Sequence, residues 1–223
     1  PQLSKHVHLK KKSKILQIQN KALELSMFLS LPASVALFIG AEEIISSLFG
    51  YGSFNETAVS NSAKALYYFG LGLPAFALIK VFSTFFFANH DTKTPFYISL
   101  VAVILNVIIS VYYFKNIGFI IIPIATTISS WFNAIILFIF LTNKNLFNFN
   151  KSFFIKLIKI SFASIIMGIL FKYLLIIFQY ELVYNNYLKS IYLIISVLLS
   201  LIFYLLLSFF IKAFKYEDIN LKY

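Results

Sequence analysis

Few side chains in this sequence could do chemistry, and most of those sit where a polar group is expensive. Lys80 lies inside an apolar run, six residues after Pro74. A charge at the centre of a membrane helix costs about 2.5–3.5 kcal/mol on insertion scales. Such a lysine either snorkels along its stem to the nearer interface or faces a polar cavity, and the cavity is the preferred reading. The string Gly70-Leu71-Gly72-Leu73-Pro74 precedes it. Pro74 removes one backbone donor and crowds the turn before it, which predicts a kink or an unwound turn. Breaks of that kind often line the substrate path of transporters, although a silent proline is an equally open reading. Gly70, Gly72, Pro74 and Lys80 are therefore the candidate substrate-cavity residues.

Other polar groups are weaker signals. Glu42 and Glu43 come late in an apolar run, where an outer-interface pair is preferred over a carboxylate facing the bundle interior. Asn106 and Ser110 stand four residues apart, on one helical face. Thr126, Thr127, Ser129, Ser130 and Asn133 follow Pro123. Such residues hydrogen-bond between helices more often than they coordinate a cation. There is no cysteine, so no disulfide and no thiolate metal site. His6, His8 and His90 fall in loops or tails, no Ser-His-Asp order or phosphate-cradling glycine loop is visible, and no metal is expected. The expectation is a non-enzyme.

The elements that must position these residues are long and apolar. Stretches at 26–50, 62–88, 95–114, 117–142, 153–178 and 188–213 each approach the roughly 20 residues that span a bilayer. Hydrophobic residues make up 60% of the 223 and mean hydropathy is +0.86, a balance that a soluble domain of this size would not carry. The predicted fold is all-α: a polytopic membrane bundle of six transmembrane helices behind a short basic amphipathic N-terminal segment. Residues 1–25 are that segment, 26–142 a four-helix part, and 143–223 two further helices with a tail. The last two spans are almost uniformly Ile, Leu, Phe and Tyr, which suits lipid-facing helices or a groove for an acyl or isoprenoid chain. Pro95 in Asp91-Thr92-Lys93-Thr94-Pro95 marks a capped helix start.

The lysines orient the bundle. Counted over alternate loops, fourteen fall on the side of both termini and four on the other, with Lys80 inside a span. That bias predicts cytoplasmic termini. The net charge of +11 suits anionic lipid head groups, at about 1 kcal/mol per basic residue near the surface. Nucleic acid is not an expected partner, because the lysines are scattered over several membrane-edge segments and there is no arginine.

Several strings resemble the MurJ/MviN family, flippases of the peptidoglycan precursor lipid II. They are Leu31-Pro32-Ala33-Ser34-Val35-Ala36-Leu37, then Leu48-Phe49-Gly50-Tyr51-Gly52-Ser53-Phe54, then Tyr68-Phe69-Gly70-Leu71-Gly72-Leu73-Pro74-Ala75. Phe87-Ala88-Asn89-His90-Asp91-Thr92-Lys93-Thr94-Pro95 is similar to the family's aromatic-Ala-x-x-Asp-Thr-x-Thr-Pro loop, and Ala125-Thr126-Thr127 with Trp131-Phe132-Asn133-Ala134 continues the match to about residue 142. The resemblance implies helices nine to fourteen of a fourteen-helix protein in the multidrug/oligosaccharidyl-lipid/polysaccharide exporter superfamily. It also implies a multi-pass protein of the bacterial inner membrane, acting in peptidoglycan biosynthesis, cell wall biogenesis and cell shape. The expected partners are the lipid-linked precursor, membrane lipids and an N-terminal part of the same chain that carries the family's cavity arginines. This segment alone is not expected to transport.

In some family members a sodium site is built by the C-terminal lobe. The resemblance places Asn106, Ser110, the Ile122 carbonyl and Thr126 at its positions, with Ser110 where a carboxylate is expected, and Tyr51 at a position that is often basic. No cofactor is implied, and sodium or the membrane potential is the candidate driving force. Two other functions remain open from the residues: a flippase or exporter of another lipid-linked polysaccharide unit, and a non-transporting membrane scaffold subunit.

Overall fold

The computed structural model describes residues 12–148 and 150–213, so the first eleven residues of the expected basic segment and the tail from 214 lie outside the described residues. The elements run α1 (Lys12–Ile39), α2 (Ala41–Phe49), α3 (Glu56–Ala88), α4 (Lys93–Ile117), a 3-10 turn (Gly118–Ile120), α5 (Ile121–Asn143), α6 (Lys151–Ile177) and α7 (Lys189–Phe210). No strand occurs among the described residues. A helix satisfies its own backbone, which is what a chain this apolar requires in lipid. Five segments are long and apolar enough to cross a membrane: Ile15–Ile39, Glu56–Ala88, Lys93–Asn143, Ser152–Ile177 and Lys189–Phe210. The third holds both α4 and α5, so six long helices correspond to the six expected spans.

Two boundaries differ from expectation. Residues 12–39 form one unbroken helix, so no separate surface helix ends near residue 25. The first span instead breaks at Gly40, where a Cβ would stand 2.6 Å from Phe171 Cε1. The close approach of the Phe171 ring requires glycine, and α2 starts afresh behind it. Pro74, by contrast, leaves α3 helical throughout, with no unwound turn.

The chain divides into two compact units. One comprises 1–30 and 72–157, the other 31–71 and 158–223. The first unit's core is Leu23, Phe82, Phe85, Phe86, Leu137, Leu141, Phe147 and Phe153. Phe147 is fully buried and stacks on Phe85 with ring centroids 5.6 Å apart. The loop that carries it is tied to α1, because Gln19 Nε2 donates to the Leu146 carbonyl and Asn20 Nδ2 to that of Asn148. Buried Glu24 pairs with Lys156 at 2.7 Å in the same unit. The second unit's core has two clusters, Ala41, Ile45, Val59 and Ala63, and Phe171, Leu175, Leu182 and Leu193.

Candidate substrate and ion sites

Pro74 has no N–H to offer the carbonyl of Gly70, its i−4 partner. That carbonyl is not orphaned, because the buried Ser34 hydroxyl donates to it at 2.7 Å. Gly70 is itself tightly placed, with a Cβ there only 2.9 Å from Leu37 Cβ. Gly72 is buried, and a Cβ would meet Thr127 Oγ1 at 3.0 Å. Pro74 is buried as well, whereas Lys80 is exposed. The Lys80 carbonyl accepts from Thr84 Oγ1, while its ammonium has no protein partner among the described residues. Of the four cavity candidates, Gly70 groups with the second unit and Gly72, Pro74 and Lys80 with the first.

The polar residues of α4 and α5 do come together. Asn106 Nδ2 donates to Thr126 Oγ1 at 3.1 Å and to Ser129 Oγ at 3.4 Å, and Thr126 Oγ1 donates to the Ile122 carbonyl at 2.8 Å. Ser130 adds a bond to the Thr126 carbonyl at 2.6 Å. Ser110 Oγ is buried without a partner among the described residues. Three of the four candidate cation ligands thus form one hydrogen-bonded chain. No carboxylate belongs to it, and no group of three or more metal-ligating side chains occurs among the described residues. Hard cations prefer oxygen ligands that bring negative charge, and the bonds from Asn106 to Thr126 and Ser129 join α4 to α5 directly.

The Asp-Thr-x-Thr-Pro loop is a clamp. Asp91 accepts from the Thr94 N–H at 3.0 Å and from its hydroxyl at 2.8 Å, and Lys144 donates to Asp91 at 2.6 Å and to Thr94 Oγ1 at 2.9 Å. Partial burial pushes the Asp91 carboxyl up, but the Lys144 ammonium and the two Thr94 donors outweigh it and hold it at about 2, below the usual 3.8. Thr92 is the N-cap residue of α4 and makes no side-chain cap bond, so Asp91 just before it answers the Thr94 N–H, and Pro95 occupies the first turn, where a missing N–H costs nothing.

In the second unit the structure gives work to Lys189, which the sequence shows only as one of the four lysines on the side opposite the termini. Lys189 is fully buried at the start of α7. Its ammonium donates to the carbonyls of Gly50 and Tyr184, at 2.6 and 2.7 Å, and lies under the rings of Tyr51 and Tyr184. Tyr51 and Ser190 share a bond of 2.7 Å, and Ser190 donates to Ser47. The Phe49–Asn55 turn thus closes around one cation. The signal in the sequence was a lysine flanked by tyrosines and facing a glycine turn, but spacing alone does not pair residues 139 apart.

The last two spans suit either lipid-facing helices or a groove for an apolar chain, and an apolar cleft of about 600 Å³ is lined by Val35, Phe38 and Ile39 of α1 with Ile165, Gly168 and Ile169 of α6. Along α7, Lys189, Leu193, Ser196, Ser200, Tyr204 and Ser208 form one buried face, and Tyr204 lies beside Ser164 of α6. Small polar residues at helical spacing permit close helix approach in lipid.

Six long apolar helices with polar residues bonded between them define a multi-pass α-helical membrane protein. The family model described as lipid II flippase MurJ matches residues 1–197, and the chain belongs to that family. Among curated relatives it is 33% identical over 181 residues to the probable lipid II flippase MurJ of Rickettsia prowazekii, covering 81% of this chain and 34% of the relative. It is 37% identical over 143 residues to that of Thermotoga maritima, covering 64% and 28%. A solved lipid II flippase MurJ in an inward closed conformation superposes with TM-score 0.72 at 25% identity, over 94% of this chain and 41% of that one. The chain spans about a third of the length of the curated relatives it matches.

Proposed function

We propose that the chain works as part of a flippase that moves lipid-linked peptidoglycan precursor from the inner to the outer leaflet of the bacterial inner membrane. The observation that carries this is the family match over residues 1–197, joined to the superposition on a solved lipid II flippase. The mechanism is alternating access: helical lobes rock about a polar cavity that admits the diphosphate-sugar head while the tail stays in lipid. Transport of this kind needs no covalent step. Exposed Lys80 is the cationic side chain best suited to meet the head group from this part of the protein. Sodium or the membrane potential is the candidate driving force. The lysine bias supports a cytoplasmic position for both ends of this segment. Cysteines at Ser53 and Asn116 should then label from outside and one at Asn145 should not.

Complementation tests the function. A chimera in which this chain replaces the matching third of a curated relative should restore growth to a cell depleted of its own flippase, and Lys80→Ala should impair it without loss of protein. A chimera that inserts normally and fails to restore growth contradicts the proposal.

A further inference from the structure

The second unit contains a pocket whose charges have no partner among the described residues. It encloses about 480 Å³ and is lined by Glu42 and Glu43 of α2, Ser60, Lys64 and Tyr67 of α3, and Lys172 of α6. Among the described residues none of these four charged side chains makes a hydrogen bond or ion pair. The other acidic and basic groups with partners are closed systems by comparison, as in Glu24 with Lys156 and Asp91 with Lys144. Phe38, Ile39 and Lys172 line this pocket and also the apolar cleft of about 600 Å³ beside it. A polar chamber with two cations and two anions therefore opens onto a slot of Val35, Ile165, Gly168 and Ile169. Gly168 keeps the two walls close, since a Cβ there would stand 2.4 Å from Val35 Cγ1.

We propose that this combined site holds one phospholipid with a zwitterionic primary-amine head group, a phosphatidylethanolamine, as a resident lipid. Charge complementarity selects the occupant. Lys64 and Lys172 offer ammonium donors to a phosphate, and charge-assisted bonds of this type are the strong ones. Glu42 and Glu43 repel a purely anionic head group but accept hydrogen bonds from a primary ammonium. A trimethylammonium has no N–H to donate, so phosphatidylcholine leaves both carboxylates unsatisfied. An acyl chain lies in the apolar slot, where Lys172 at the shared wall can extend its ammonium toward the phosphate while its stem stays with the chain. The site requires only the membrane setting, and it stands or falls independently of whether the protein flips anything.

Native mass spectrometry tests it with the protein as its gene encodes it, released from detergent with equimolar phosphatidylethanolamine, phosphatidylglycerol, phosphatidylcholine and polyprenyl phosphate. The wild type should retain phosphatidylethanolamine at least about tenfold over the others, the equivalent of one charge-assisted bond. The double variant Glu42→Gln with Glu43→Gln should reverse the preference toward phosphatidylglycerol. Lys64→Gln with Lys172→Gln should weaken retention of both by a similar factor. Circular dichroism and melting temperature of each variant establish that it folds. Equal retention of all four lipids, a wild-type preference for phosphatidylglycerol or polyprenyl phosphate, or a phosphatidylethanolamine preference that survives in a folded carboxamide variant would each overturn the proposal.

Discussion

The Asn106–Thr126 network in the first unit and the Glu42–Lys172 pocket in the second are both polar, yet they differ in what answers them. In the first, an amide, two hydroxyls and a carbonyl answer one another. In the second, two carboxylates and two ammoniums line one space and none is paired among the described residues. Polar residues that close on themselves hold helices together. Polar residues that do not close are available to a ligand or to head groups. The same contrast separates the lysines, with Lys189 caged by two carbonyls and two rings while Lys64, Lys80 and Lys172 stand open.

If the closed groups are structural, breaking them should cost stability, and most where burial is deepest. Lys189→Met should have the largest effect. It orphans the Gly50 and Tyr184 carbonyls, at about 1–3 kcal/mol each, and should lower the melting temperature in detergent more than any change at Lys64 or Lys172. A Lys189→Met protein with wild-type stability would erase the distinction between caged and open lysines.

Asp91→Asn comes next, at about 1–2 kcal/mol, because solvent screening of the exposed Lys144 reduces what the shift from 3.8 to about 2 would otherwise imply. Because the folded carboxyl is held below its unfolded value, its contribution is fully present above about pH 4 and is lost as pH falls toward 2. Acid titration of the melting temperature should therefore show a step in that window, and the step should vanish in Asp91→Asn.

Ser34→Ala should cost about 1–2 kcal/mol, because it strands the carbonyl that Pro74 leaves free. In a Pro74→Ala background the same substitution should cost much less, since the restored N–H can reach Gly70. A double-mutant cycle on thermal stability reads this directly. Additive effects would mean that Ser34 does not act through the proline break.

Asn106→Ala should be the mildest, at about 0.6 kcal/mol, the average for interhelical bonds in membranes. Its effect should not change when sodium replaces potassium. A sodium-dependent stabilisation lost in Asn106→Ala would move this network from the closed class to the ligand-binding one.

Long apolar runs made six helices legible in the sequence, and the composition of Asp91–Pro95 made the α4 cap legible. What lay hidden depended on contacts distant in sequence. Gly40 breaks the first span because Phe171 approaches it, and nothing near Gly40 announces that ring. Pro74 predicts a kink or an unwound turn, but Ser34, on another helix, supplies the missing donor and the turn does not unwind. The serines of α7 looked incidental among leucines, since their alignment with Lys189, Leu193 and Tyr204 on one face emerges only when the buried set is known. The unpaired character of Glu42, Glu43, Lys64 and Lys172 is likewise a property of three helices together, and no single span carries it.

The central claim is that this chain supplies part of a lipid II flippase. Reconstitution tests it most directly: the chimera carrying this chain, placed in liposomes with labelled lipid-linked precursor on the inner leaflet, followed by enzymatic access to the sugar head from outside. The account predicts time-dependent exposure of the precursor above that of protein-free liposomes, reduced in Lys80→Ala. Exposure no faster than in protein-free liposomes, from a correctly inserted and folded chimera, would contradict it.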